Sequence, residues 1–251
     1  MTSYVADKYC EERSFIERAR ATYTLESQQD KVMRELAVRT FAPYVQPEWN
    51  CLHLGYSAGV DAGLLRVRVK SLDIVEGCAA FVAAGRAQGY ENVAFHHCLF
   101  EEFATDKKYD AVFALYVLEH VFNVPELLLM IKSILEPQGL LFVVVPNARA
   151  LSRQLALHMG ILADLKALTK NDHSHGHRRV YDRALLSRDL TAAGFQIIAQ
   201  GGLLLKLLAD FQMNDLLQQG VLTSQHVDGL YKLGLEYPDL CGTLFSVCKP
   251  V

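Results

Sequence analysis

Short apolar runs typical of strands alternate with helix-type stretches through the first 150 residues, and this alternation restricts the fold more than any other feature. The runs are CLHL (51–54), SLDIVEG (71–77), NVAFHHC (92–98), YDAVFALY (109–116) and GLLFVVVPN (139–147). Ala-rich CAAFVAAGRAQG (78–89) and VPELLLMIKSIL (124–135) are predicted helices between them, the first ending at Gly89. Such alternation predicts a parallel sheet with helices on both faces. YDAVFALY is apolar almost throughout, as a strand covered on both faces should be.

The pattern changes after Asn147. The following segments are a helix (148–160), the polar stretch LTKNDHSHGHRRVYD (168–182), a helix (185–194), the strand FQIIAQ (195–200), a long leucine-rich helical region and the strand GTLFSVCKP (242–250). Ser27 and Asp30 have the spacing of a capping box before an earlier helix. We predict an N-terminal helical cap over 1–45 and one catalytic domain over 46–251. Residues 148–235 are interpreted as partly an insertion that forms a helical lid.

Composition excludes several classes of protein. The net charge of −3 gives no reason to expect nucleic-acid or membrane binding. The first residues, MTSYVADKYCEERS, carry charges where a signal peptide needs an apolar core, and no apolar run is long enough to span a bilayer. Six cysteines are scattered without a CxxC pair. We therefore expect a reduced, cytoplasmic protein.

The stretch LHLGYSAG (52–59) predicts a ligand-binding turn. It joins a strand to a helix and carries Gly55 and Gly59, so that backbone can approach a ligand closely. Glu76 ends the next strand 21 positions after Gly55, where a carboxylate can bind the hydroxyls of a ribose. The nicotinamide fingerprint G-x-G-x-x-G would need glycines at the positions of Ser57 and Val60, which disfavours a dehydrogenase.

Six segments in order resemble the motifs of class I S-adenosylmethionine (SAM)-dependent methyltransferases over about residues 30–200. They are LHLGYSAG, DIVEG, LFEEF, YDAVFALYVLEHV, LEPQGLLFVVVPN and AAGF. The resemblance implies a Rossmann-like, mostly parallel seven-stranded sheet with an antiparallel last strand. It also implies SAM as the methyl donor and S-adenosylhomocysteine (SAH) as its product.

The resemblance implies a set of cofactor-binding residues. These are His53, Gly55, Tyr56, Ser57, Gly59, Glu76, Gly77, Leu99, Phe100, Glu101, Leu115 and Tyr116. The turn would line the methionine part, Glu76 would bind the ribose, and residues 99–101 would contact adenine. The family commonly has an acid at position 53 and a glycine at 57. We predict that the turn still functions, with His53 replacing the acid's hydrogen bond and Ser57 adding a hydroxyl.

The methyl acceptor is predicted from residues beyond the fourth strand and in the polar stretch. Candidate catalytic residues are His120, His175 and His177, and candidate substrate contacts are Tyr116, Asn147, Arg149, Arg178 and Tyr181. The alternative for the polar stretch is an exposed loop without function. No metal is predicted, because Asp172 is the one acidic or cysteine side chain close to the histidines along the chain.

Charge favours one class of acceptor. Residues 149–188 carry eight Lys or Arg against three Asp, which suits an acidic ligand. The resulting hypothesis is methyl transfer to O or N of a small, acidic metabolite, without nucleic acid or membrane as partner. A SAM-binding protein without catalysis and a protein or nucleic-acid methylase remain alternatives, and a homodimer stays open.

Overall fold

One seven-stranded sheet organises the chain, of which the computed structural model describes residues 11–17 and 27–251. The strands are β1 Asn50–Leu54, β2 Ser71–Glu76, β3 Val93–His97, β4 Tyr109–Leu115, β5 Leu135–Pro146, β6 Phe195–Leu205 and β7 Cys241–Pro250. Their order is β3-β2-β1-β4-β5-β7-β6. Strands β1 to β5 run parallel, and β7 is antiparallel to both β5 and β6. The predicted Rossmann-like sheet with an antiparallel last strand is confirmed.

Helices cover both faces of the sheet. They are α1 (residues 11–17), α2 Gln28–Phe41, α3 Val60–Arg66, α4 Ala79–Arg86, α5 Val124–Ile134, α6 Leu151–His158, α7 Lys170–Ser174, α8 Arg183–Ala192, α9 Asp210–Gln218 and α10 Ser224–Glu236. Alternate residues of β4 enter opposite layers of the core: Val112 and Ala114 join one apolar cluster, Ala111 and Phe113 the other. Burial on both faces explains the nearly continuous apolar sequence of β4.

Local signals in the sequence account for several helix boundaries. The Ser27 hydroxyl accepts a hydrogen bond from the Asp30 amide and begins α2, as the spacing predicts. Helix α4 ends at Arg86, three residues before the predicted Gly89, and the last residues adopt a turn. Among the described residues, no helix is long and apolar enough to cross a membrane. The cysteines at 51, 78, 98, 241 and 248 are free thiols.

The region after Gln200 differs from its predicted helical structure. Residues 201–205 extend β6 and pair with β7, and helices α9 and α10 begin only at Asp210 and Ser224. Gly202 allows this, because a Cβ there would lie 2.4 Å from the Pro238 carbonyl oxygen. Since β6 belongs to the sheet, the predicted insertion over 148–235 is divided. We call residues 148–182 the lid segment. Parts of the predicted cap over 1–45, residues 1–10 and 18–26, lie outside the described residues.

Candidate active site

The carboxyl ends of the central strands open into a cavity of about 1030 Å³. The sheet order places the loops after β2, β1 and β4 side by side along this edge. Helices α1, α2, α6 and α9 and residues 169–177 close the remaining sides. Ligands of open α/β sheets bind at this edge, and the volume lies at the upper limit of ordinary ligand sites, about 300–1,000 Å³.

The turn between β1 and α3 is built from left-handed backbone. Gly55, Ser57 and Gly59 have φ values of 80°, 50° and 75°. A Cβ on Gly55 would meet nothing within 4 Å, whereas one on Gly59 would strike the Tyr56 ring at 2.4 Å. Gly59 is therefore required by packing inside the turn, and Gly55 leaves open space beside the cavity. The Ser57 hydroxyl is buried without a hydrogen-bond partner.

His53 lies within a buried polar network behind this turn. Its Nδ1 donates to the Gly55 carbonyl oxygen at 2.5 Å, and its Nε2 lies 3.4 Å from an Asp61 carboxylate oxygen. Asp61, in the first turn of α3, accepts a 2.7 Å hydrogen bond from Arg34 on α2. Although burial opposes ionisation, the charge of Arg34 holds the pKa of Asp61 well below its usual value. Asp61 therefore places a buried carboxylate beside the His53 ring, and His53 itself holds the Gly55 carbonyl of the turn.

Glu76 connects the turn after β1 with the turn after β2. Its carboxylate oxygens accept hydrogen bonds from the backbone amides of Tyr56 at 2.8 Å and Cys78 at 2.7 Å. Burial raises the pKa of Glu76, and these amides counteract the rise. The side chain also lines the cavity.

Apolar side chains line the cavity beyond Glu76. Leu99 and Phe100 are joined there by Phe81, which the sequence analysis missed, and by Ile16 from α1. A Cβ on Gly77 would lie 3.1 Å from the Ile16 side chain, so this glycine permits close approach of α1. Glu101 also contributes to the lining. Two ion pairs fasten α1 over the cavity: Arg13–Glu102 at 2.6 Å and Glu12–Arg178 at 2.7 Å.

Tyr116 follows β4 in left-handed backbone, with φ of 59°. Its ring lies under the Arg34 guanidinium, 5.2 Å from carbon to ring centroid. Burial raises the pKa of its hydroxyl well above the usual value, and a hydrogen bond with the Thr243 side chain counteracts the rise. Leu115 precedes it, also in the cavity wall. An aromatic face at this edge suits a cationic ligand group.

Glu119, His120 and His177 form a cluster at the other end of the cavity, with one ligand-type atom from each within 4.8 Å of the others. Glu119 is fully buried, and neither carboxylate oxygen has a hydrogen-bond partner. Burial raises its pKa to about 7. Burial also lowers the pKa of His120 to about 3, so its ring is neutral near pH 7. The rings of His120 and His177 meet edge to face, 4.9 Å between centroids.

Asp172 orients His177 from the lid segment. One carboxylate oxygen accepts from His177 Nδ1 at 3.0 Å, and the other from Arg153 at 3.1 Å and the Thr169 hydroxyl at 2.7 Å. Burial opposes ionisation, but these partners hold the pKa of Asp172 well below its usual value. His175 also lines the cavity, with its ring centroid 6.0 Å from that of His177.

Three of the predicted substrate contacts, Asn147, Arg178 and Tyr181, have structural tasks in the fold. Arg149, Arg178 and Tyr181 do not line the cavity. The Arg178 guanidinium donates to the Glu12 carboxylate and to the His120 carbonyl oxygen. Tyr181 is fully buried beside Asp189. The Asn147 side chain reaches the lining, but its amide donates to the carbonyls of Asp239 and Cys241. Of the predicted substrate contacts, Tyr116 keeps a position suited to that role.

The sequence analysis missed several polar residues of the site, and some carried a signal. Glu119 is adjacent to His120 in LEHV, and Asp172 precedes His177 by five residues. Arg34 and Asp61 gave no such signal. Each is one charged residue on a helix, and its partner in this pair lies on another element. Pairing between elements is not visible in sequence spacing.

Large apolar side chains surround the mouth of the cavity. Met159 and Ile161 follow α6 and are 63% and 67% exposed, and Phe211 on α9 is 69% exposed. Leu155 and Leu207, also on the lining, continue this surface. Exposed apolar side chains gathered at a cavity mouth are typical of a binding site for an apolar ligand.

Sequence comparison assigns this site to a family. A family model described as a methyltransferase domain matches residues 20–200. The chain belongs to this methyltransferase family. With the confirmed fold, the methyltransferase is a class I, SAM-dependent enzyme, as the resemblance implies. No curated protein matches it in sequence.

Solved structures resemble this methyltransferase in fold at low sequence identity. The N-methyltransferase NodS from Bradyrhizobium japonicum WM9, in complex with SAH, has a TM-score of 0.57 at 11% identity, covering 90% of this chain and 89% of that one. A SAM-dependent methyltransferase from Mesorhizobium loti has a TM-score of 0.60 at 13% identity, and the match covers 85% of this chain and 97% of that one. DhpI in complex with SAM and HEP has a TM-score of 0.59 at 17% identity, and the match covers 100% of this chain and 99% of that one.

Proposed function

We propose that this methyltransferase moves the methyl group of SAM to an oxygen or nitrogen atom of a small acceptor. The observation that carries the proposal is one continuous cavity with two different ends. The predicted cofactor residues Gly55 and Glu76 line it, and so does the Glu119–His120–His177 cluster. A volume of about 1030 Å³ provides room for both SAM and a small acceptor.

The cofactor end fits SAM by its chemistry. The Glu76 carboxylate suits ribose hydroxyls, and the apolar wall at Leu99 and Phe100 suits adenine. The Ser57 hydroxyl is a buried donor without a partner, and the methionine part of SAM would supply polar groups at this position. Bound SAM supplies an activated methyl group on a sulfonium. The protein has to align the acceptor in line with it and exclude water.

The acceptor end supplies side chains that can activate the acceptor atom. His120 and His177 stay candidate catalytic residues because their rings meet at the cavity wall, and Glu119 joins them. His175 also stays a candidate, with its ring centroid 6.0 Å from that of His177. Helix α1, fastened by its two ion pairs, would limit the entry of water.

We propose an acceptor of different polarity from the one that the sequence predicts. The prediction of an acidic metabolite depended on the basic side chains of residues 149–188. Most of these have partners within the protein: Arg153, Lys166, Arg178, Arg179, Arg183 and Arg188 bind carboxylates or carbonyls. The apolar mouth formed by Met159, Ile161 and Phe211 supports an acceptor with an apolar body instead.

Two alternatives have less support. A SAM-binding protein without catalysis has no use for a buried carboxylate and two imidazoles at the acceptor end. A nucleic-acid methylase needs a broad basic surface, whereas the basic residues here are largely paired. A homodimer stays a prediction from sequence.

The test uses SAM with a labelled methyl group and four acceptor panels: apolar phenols and amines, small carboxylic acids, a peptide library and bulk tRNA. We expect label in the first panel, and loss of most of it in His177→Ala with unchanged SAH affinity. Label in the carboxylic acids alone would restore the acidic acceptor. SAH binding without transfer to any panel would favour the protein without catalysis.

A further inference from the structure

The cluster at the acceptor end combines three side chains of metal-binding type from two distant parts of the chain. Glu119 and His120 follow β4, and His177 comes from the lid segment. The sequence analysis predicted no metal because Asp172 is the one acidic residue close to the histidines along the chain. The fold adds Glu119 to them, through hydrogen bonds from the Arg178 amide to the Glu119 carbonyl and from Arg178 Nε to the His120 carbonyl.

Both imidazoles are held in the same way. His177 Nδ1 is 3.0 Å from an Asp172 carboxylate oxygen, and His120 Nδ1 is 3.3 Å from the Gly176 carbonyl oxygen. An oxygen acceptor on Nδ1 places the ring proton there and leaves the Nε2 lone pair available. Ligating histidines in metalloproteins characteristically have this outer partner. Asp172 is itself held by Arg153 and Thr169, so the orientation of His177 is fixed twice.

Glu119 lacks what a buried carboxylate needs. It is completely buried, and both oxygens are without a hydrogen-bond partner. Buried charges are normally paired or coordinate metals. A neutral imidazole whose Nδ1 hydrogen already binds an oxygen has no N–H left to donate to a carboxylate. A cation between the three groups would satisfy all of them.

We propose that Glu119, His120 and His177 bind a divalent first-row transition-metal ion. Two imidazoles and one carboxylate favour such ions over Mg²⁺ or Ca²⁺, which prefer all-oxygen ligands. Three protein ligands leave a coordination position open, as in catalytic zinc sites. Ligand atoms of tetrahedral Zn²⁺ lie about 3.4 Å apart, given bonds of about 2.0–2.1 Å. The three side chains, within 4.8 Å, therefore close inward on binding.

The role of the ion rests on the proposed function. At the open position it would bind a hydroxyl oxygen of the acceptor and lower its pKa, so that the proton passes to water. The oxygen then bonds to the methyl carbon while the carbon–sulfur bond breaks, and sulfur keeps the electron pair. The site thus favours a hydroxyl acceptor over an amine.

The experiment titrates Zn²⁺ and, separately, Mg²⁺ into untagged, chelator-treated protein by calorimetry, with and without SAH. We expect one equivalent of Zn²⁺ and no saturable Mg²⁺ binding. Glu119→Gln and His177→Ala should each weaken Zn²⁺ by about 100-fold or more. Asp172→Asn should weaken it by about 10–100-fold, as outer-partner changes do. The control His226→Ala removes a histidine from α10, which does not line the cavity, and should change nothing.

Co²⁺ gives an independent signature, because its visible absorption reports coordination by the protein. The bands should appear in the wild type and in His226→Ala, and disappear in His177→Ala. Absence of saturable Zn²⁺ binding, or equal binding by the wild type and both ligand variants, would overturn the proposal. Full methyl transfer by chelated protein would remove the role of the ion and leave the proposed function standing. Failure to bind SAH would instead count against the proposed function.

Discussion

The two ends of the cavity are built by different means. At the cofactor end, Gly55, Ser57 and Glu76 lie directly after adjacent strands, and most of their contacts involve backbone. At the acceptor end, side chains meet across long stretches of sequence: His120 contacts a carbonyl 56 residues later. The sheet fixes the first end, and the lid segment completes the second.

This difference separates what the fold requires from what an individual acceptor requires. The loops after β1 and β2 cannot move without disturbing the sheet, so a cofactor common to a family can be bound there. The lid segment is attached through side chains such as Arg178 and Arg179, which bind carbonyls in the loop after β4 and can change without altering any strand. We therefore expect substitutions at the two ends to affect different measurements.

The largest effect is expected at Gly55. A side chain there would project into the space where the methionine part of SAM is proposed to lie, and Val also disfavours a φ of 80°. Gly55→Val should weaken SAH binding more than 1,000-fold, about 4 kcal/mol, measured by calorimetry. The matched control is Gly89→Val, since Gly89 has a φ of 63°, equally open space and no place in the cavity lining. Equal SAH affinity in the two variants would contradict the assignment.

A second variant restores the family's acid and should nevertheless be harmful. His53→Asp places a buried carboxylate next to Asp61 and removes the hydrogen bond to the Gly55 carbonyl. We expect the free energy of unfolding to fall by about 3 kcal/mol, as for an uncompensated buried charge. Adding Asp61→Asn should recover part of the loss, so that a double-mutant cycle in urea shows favourable coupling. Additive effects would mean that the side chains at positions 53 and 61 do not interact.

Glu76 should give the next largest effect on cofactor affinity. Glu76→Ala removes the proposed ribose contacts together with the bonds to the Tyr56 and Cys78 amides. SAH should bind about 2–3 kcal/mol more weakly. Glu76→Gln retains one acceptor oxygen and should lose less. Calorimetry that finds wild-type affinity in Glu76→Ala would remove the ribose assignment.

The sequence predicted the strands and turns that form the cofactor end for a physical reason. Strand ends, turns and the Gly55–Glu76 spacing are local or fixed by adjacent strands, and periodicity reveals them. The confirmed strands β1 to β5 and β7 are of this kind. The extension of β6 through Leu205 was missed, because GGLLL is equally compatible with a helix until β7 pairs with it.

The acceptor end could be predicted only as a set of residue types. His120 and His177 were recognised, but their partners Glu119 and Asp172 acquire meaning only when the chain folds the lid segment back onto β4. Arg178 shows the reverse case. It was predicted to contact substrate, and the fold uses it to fasten α1. Composition reports the charge of an arginine and not which carboxylate it meets.

The smallest expected effect tests whether the two ends are independent. His177 contacts Asp172 and the His120 ring, both at the acceptor end, and among the described residues no hydrogen bond or ring contact joins it to the turn after β1. His177→Ala should therefore change SAH affinity by less than about twofold, about 0.4 kcal/mol, while methyl transfer is lost. Calorimetry with SAH measures the first, and labelled methyl transfer the second. A tenfold loss of SAH affinity would show that the segment from Tyr116 to His120 couples the ends, and the lid segment could then not change its acceptor without changing its cofactor affinity.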